Sequence, residues 1–92
     1  MHILHVEADA SPDYDTWKQS FDSDPLGRQQ AGVRRYWISR ASDPNHVMID
    51  LMFDTQDEVE GFHASLRDMW QRTETMQNPR ARTVEAVEIK EY

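Results

Sequence analysis

The sequence predicts a single α+β domain: a four-stranded antiparallel sheet with two helices on one face. Three observations predict it. Strand-like and helix-like segments alternate along the 92 residues as strand, helix, strand, strand, helix, strand. Each helical segment carries one apolar stripe and so buries one side only. The strand segments, by contrast, carry apolar residues on both parities: Val47, Ile49, Leu51 and Phe53 on one, Met48 and Met52 on the other. Two helices cover one face of a small sheet. The other face then calls for a second layer, and another copy of the chain supplies one.

The first strand spans His2 to Ala8, where apolar residues loosely alternate. Ser11-Pro12 opens the first helix, with Ser11 as cap, Pro12 in the first helical position, and Asp13 and Asp15 near the positive end of the dipole. Tyr14, Trp17, Lys18 and Phe21 mark one side of this helix, which ends near Asp22–Asp24. Pro25 opens one further turn through Gln30, and Gly32 stops it. Val33 to Ala41 is the second strand, with Val33 and Trp37 on one face and Tyr36 and Ile38 on the other. Ser42-Asp43-Pro44-Asn45 suits a type I turn, so the third strand, His46 to Phe53, forms a hairpin with the second. Thr55-Gln56-Asp57-Glu58 is a capping box. It opens a long helix with a stripe of Val59, Phe62, His63, Leu66, Met69, Trp70 and Thr73, ended by Asn78-Pro79. Ala81 to Ile89 is the last strand, with Val87 and Ile89 on one face and Val84 and Ala86 on the other. The order βαββαβ is the ferredoxin-like plan, with expected strand order 4-1-3-2.

Composition narrows the function. A 92-residue domain buries only about 60–65% of its unfolded surface, so its core is marginal alone. There is no cysteine, hence no disulfide, no cysteine zinc site and no thiol nucleophile, which fits a reducing compartment. No apolar run approaches the roughly 20 residues of a membrane helix, and the N-terminus lacks the features of a signal peptide. The expectation is a soluble, cytoplasmic protein. A net charge of −7 argues against nucleic acid and anionic membranes as partners.

The residues Asp13 to Asp22 of the first helix, Arg40 with Asp43-Pro44-Asn45 at the hairpin, and Phe53-Asp54 before the second helix carry a family resemblance. With the element order, they make the chain resemble the dimeric α/β-barrel superfamily, which includes the antibiotic-biosynthesis-monooxygenase-like proteins. The resemblance implies a homodimer in which two sheets face each other and close a barrel, with a pocket between sheet and helices in each chain. It implies activities such as cofactor-independent oxygenation, haem degradation, isomerisation or cyclisation. The haem-degrading type uses an Asn on the first strand, a Trp on the second helix and a later His. Here the first strand offers His5, Trp70 is on the second helix, and no His follows His63. No cofactor is therefore expected.

Few residues carry chemistry. His5, mid-strand, suits a general base near neutral pH, or a hydrogen-bonded interface histidine. Asp50 interrupts an apolar strand and needs a partner there, as a base, a substrate anchor or one half of an ion pair across the dimer with His5 or an arginine. His63 and Trp70 lie two turns apart on one helix face. With Tyr14 and Trp17 they line either a flat aromatic pocket or plain core. Tyr36 and Trp37 point to opposite faces, and either can stack on a ligand. A metal is not expected. His2 and His5 point to opposite faces of their strand, and His46 and Asp50 lie more than ~13 Å apart along theirs. No Ser–His–acid pattern or phosphate-binding glycine loop is present.

The sequence thus predicts a homodimer, open to further assembly, that holds a small, flat, apolar organic molecule between sheet and helices. Its chemistry would be cofactor-independent oxygenation or isomerisation, with His5, His63 and Asp50 as catalytic candidates and Tyr14, Trp17, Tyr36, Trp37 and Trp70 as ligand contacts. The rival expectation is a non-catalytic ligand-sensing or protein-interaction module.

Overall fold

Four strands and two helices occupy residues 1–92 of the computed structural model: β1 (His2–Ala10), α1 (Tyr14–Asp22), β2 (Arg35–Arg40), β3 (His46–Phe53), α2 (Gln56–Trp70) and β4 (Met76–Glu85). The sheet runs β2-β3-β1-β4, all pairs antiparallel, which is the expected order. The fold is ferredoxin-like.

The core lies between the sheet and the helices. Leu4, Val6 and Ala10 of β1 and Val47, Ile49, Leu51 and Phe53 of β3 share it with Trp17 of α1 and Val59, Phe62 and Leu66 of α2. Phe53 is fully buried and meets the Phe62 ring at 5.6 Å. The capping box at Thr55 forms as expected: the Thr55 side chain accepts from the Glu58 N–H, and the Glu58 side chain accepts from the Thr55 N–H. Gly32, at φ +105°, lies so close to Glu58 that a side chain there would run into its carboxylate.

Several boundaries differ from expectation. Asp13, not Ser11, caps α1. Its extended backbone aims the carboxylate at the Thr16 N–H, 2.8 Å away, and that bond holds its pKa below the usual aspartate value. Pro12 therefore precedes the helix. Residues 25–32 form hydrogen-bonded turns, one of them closed by a helical bond from the Ala31 N–H to the Gly27 carbonyl, without extending into a helix. β2 begins at Arg35, although Arg34 already donates to the Met52 carbonyl.

The second helix stops at Trp70, and Asn78-Pro79 lies inside β4. This is possible because β4 is an edge strand. Its register shifts between Glu7, paired with Arg80, and Asp9, paired with Gln77. The irregularity takes up Asn78, at φ +52°, and Pro79, which has no N–H to give the ladder. β4 ends at Glu85, opposite His2, and one more bond joins the Ala86 N–H to the Met1 carbonyl. Val87 and Ile89 lie beyond any strand, 90% and 72% exposed.

The helix-free face is less apolar than Met48 and Met52 suggest. Ile3 and Met52 are buried at one end, and Trp37 is 39% exposed on β2. A row of ionisable side chains runs along β1 and β3 from His5 and Asp50 to Asp9 and His46.

Candidate functional site

Sheet pairing builds that row. His5 on β1 is opposite Asp50 on β3, and Asp9 is opposite His46. His5 Nδ1 lies 2.7 Å from Asp50 Oδ1, and His5 Nε2 lies 3.3 Å from Glu7 Oε2. The other oxygen of Glu7 is 3.0 Å from His46 Nε2, and His46 Nδ1 is 3.0 Å from Asp9 Oδ1. Asn78 donates to the second oxygen of Asp9. The result is a continuous hydrogen-bonded line: Asp50, His5, Glu7, His46, Asp9. The hydrogen bonds that the His46 ring makes to Asp9, then to Glu7, push its pKa up. The bond from His46, then that from His5, holds Glu7 down, while bonds from His46 and Asn78 lower Asp9. The five groups form no three-ligand cluster able to hold a metal ion.

A second feature lies on the other side of the sheet. A cleft opens between sheet and helices, and about 60 Å³ of it is free to the centre of a water molecule. By that measure it has room for roughly four waters. Val6, Ile49 and Leu51 form its floor, and Trp17, Phe21, Leu66 and Trp70 its walls. The Trp17 and Phe21 rings lie 5.2 Å apart. The Arg28 guanidinium sits 3.9 Å from the centre of Phe21 and 5.1 Å from that of Tyr36, and it donates to the Phe21 carbonyl. Arg28 and Asp24 are the cleft's only ionisable side chains, and they pair with each other. Trp70 Nε1 is buried in the protein without an acceptor, although a buried indole N–H usually finds one.

The residues expected to form one site therefore divide between two faces. Trp17 and Trp70 line the cleft. His5 and Asp50 pair on the opposite face, within one chain, and cannot reach a molecule held under the helices. His63 is half-buried on α2 but does not line the cleft; burial, then Arg67, lowers its pKa. Tyr14 packs on Trp17 under the Arg40 guanidinium, 4.1 Å from its ring centre. Tyr36 closes the outer side of Arg28 with its ring on Phe21, and Trp37 stands on the helix-free face near Arg35. Sequence reasoning missed the parts of Glu7, Asp9 and His46, and of Phe21 and Arg28 in the cleft. The matching of His5 to Asp50 and Asp9 to His46 follows from the β1–β3 register, which strand order alone does not provide.

No protein-family model matches the chain, and no curated protein matches it in sequence. Solved structures do. A dimeric ferredoxin-like protein from an uncultured marine organism superposes with a TM-score of 0.69 at 9% identity, over 100% of both chains. The chain shares its ferredoxin-like fold. A candidate antibiotic biosynthesis monooxygenase from Bordetella bronchiseptica gives 0.68 at 14% identity, over 94% of this chain and 97% of that one. Another, from Deinococcus radiodurans, gives 0.61 at 17% identity, over 100% and 98%. At these identities the likeness concerns the ferredoxin-like fold. No helix of the chain is long and apolar enough to cross a membrane.

Proposed function

We propose that the chain is a homodimer, its two sheets packed face to face, and that each cleft holds a small, flat, mostly apolar molecule bearing a hydrogen-bond acceptor. The observation that carries the ligand reading is the unpaired Trp70 N–H, buried in a side chain that lines an aromatic cleft. A carbonyl or phenolate oxygen on the ligand would satisfy it. The dimer reading is supported by the solved neighbours described as dimeric. The absence of an imidazole in the cleft favours binding over proton-transfer catalysis by His5 or His63. Oxygenation of an activated phenol, the chemistry suggested by neighbours named as candidate antibiotic biosynthesis monooxygenases, is the turnover to assay first. The cysteine-free composition supports a cytoplasmic location.

The test is an NMR titration with acetophenone, which has an acceptor, and ethylbenzene, which has the same outline without one. Trp70→Phe keeps the ring and removes the donor. Acetophenone affinity should fall roughly fivefold in the variant, the worth of a hydrogen bond of ~1 kcal/mol, with ethylbenzene affinity unchanged. Equal losses for both probes, or shifts confined to residues outside the cleft, would overturn the ligand reading.

A further inference from the structure

We infer that the helix-free sheet face is a proton-linked contact surface for a second copy of this chain: its row of two histidines and three carboxylates can be covered by another sheet only while the rings carry two protons each. The inference rests on the homodimer proposed above and adds the chemistry of its interface.

The geometry is the argument. Both nitrogens of His46 face carboxylate oxygens at 3.0 Å, and both nitrogens of His5 face carboxylate oxygens at 2.7 and 3.3 Å. A neutral imidazole donates from one nitrogen only, so its other nitrogen would press a lone pair against an oxygen lone pair. In the single chain water can relieve that conflict, because the side chains of His5, Glu7, His46 and Asp50 keep 16–27% of their surface. A second sheet laid over the row removes that water, and an unsatisfied polar group then becomes costly.

The rest of the face fits a copy of itself. Acids occupy the inner strands: Glu7 and Asp9 on β1 and Asp50 on β3. Arginines occupy the outer ones: Arg35 on β2, and Arg80 and Arg82 on β4. Arg80 reaches Glu7 only at 3.8 Å and is largely exposed, which leaves it available to a partner's carboxylate. Met48, half-buried, and Trp37, exposed, flank the row with apolar surface. A self-associating two-fold surface needs both members of each complementary pair on one chain, and this face has them. The raised pKa of His46, caused by Asp9 and then Glu7, means that the ring already favours its proton before association.

Sedimentation of the full chain from pH 6 to pH 9 tests this, with circular dichroism to confirm folding at each pH. The dimer dissociation constant should be flat at the acid end and rise once the pH passes the raised value that His46 holds in the single chain, by up to about tenfold per pH unit for each linked proton. His46→Gln should lower that slope, and His5→Gln with His46→Gln should remove it. His63→Gln, on the opposite side of the sheet, should leave it intact. A dissociation constant independent of pH in the unmodified chain, or an unchanged slope in His46→Gln, overturns the proton linkage and leaves the dimer standing. A monomer at every pH overturns the dimer reading and this inference with it.

Discussion

Replacing Asp50 with alanine takes away the group 2.7 Å from His5 Nδ1 and leaves that ring with only the 3.3 Å approach to Glu7. The two side chains are 16% and 19% exposed, so most of their surroundings is protein. A hydrogen bond involving a charged partner contributes about 1.5–3 kcal/mol when dry. The remaining exposure lowers the coupling expected here to about 1–2 kcal/mol. The assay is a double-mutant cycle: the unmodified chain, Asp50→Ala, His5→Ala and the double variant, unfolded in urea at one protein concentration. Each single change should lower stability by about 2 kcal/mol, or roughly 8–16 °C in Tm for a domain of this size. The double variant should lose less than the sum by the coupling energy. Effects that add to within about 0.5 kcal/mol would refute the reasoning, because they would make the pair a solvated contact with no shared energy.

Further outcomes follow from the fold and its charges. Thr55→Ala removes half of the capping box and should cost about 1 kcal/mol in thermal unfolding, whereas Gly32→Ala should cost more, since it combines a left-handed backbone with a collision against Glu58; equal Tm values for Gly32→Ala and the unmodified chain would contradict this. Stability measured against pH should peak between about 4.5 and 6.5. His46, with its pKa raised in the folded chain, contributes fully below its ordinary value of 6.5 and loses that contribution as pH rises through the higher folded value. Glu7 and Asp9, with lowered values, contribute fully above 4.5 and 3.8 and lose it as pH falls. His63 opposes folding in acid because burial disfavours its charge, so His63→Gln should raise Tm on the acid side. A Tm that climbs steadily from pH 6.5 to 9 would contradict the His46 assignment.

Periodicity carried most of the fold. The Val47–Phe53 alternation identifies a strand and the Val59–Trp70 stripe a helix with its buried side, but apolar residues on both parities of the strand leave open which sheet face meets the helices. The errors fell where two residues compete for one role. Ser11 and Asp13 are comparable caps, and only the extended backbone at Asp13 decides between them. Pro79 reads as a breaker until β4 is known to be an edge strand with a register shift. The candidate site was legible in its members but not in its grouping. His5, Asp50 and Trp70 stand out as single residues, yet whether they meet depends on parity and register across strands far apart in sequence. Parity already set His5 and Asp50 against the Val47–Phe53 side; the register of β1 on β3 was the missing link.

The sheet's two outer rims have a consequence for how the protein behaves when concentrated. At β4 the rim carries Pro79 and the displaced Asn78, with Arg80 and Arg82 following; at β2 it begins and ends with arginines, Arg35 and Arg40. A strand approaching either rim meets a missing donor or a fixed positive charge, both of which discourage edge-on growth. Further copies are thus kept from lengthening the sheet into a ribbon. In the proposed dimer, contact across the flat of the sheet would close after one partner in a two-fold arrangement, giving a finite particle rather than a fibre.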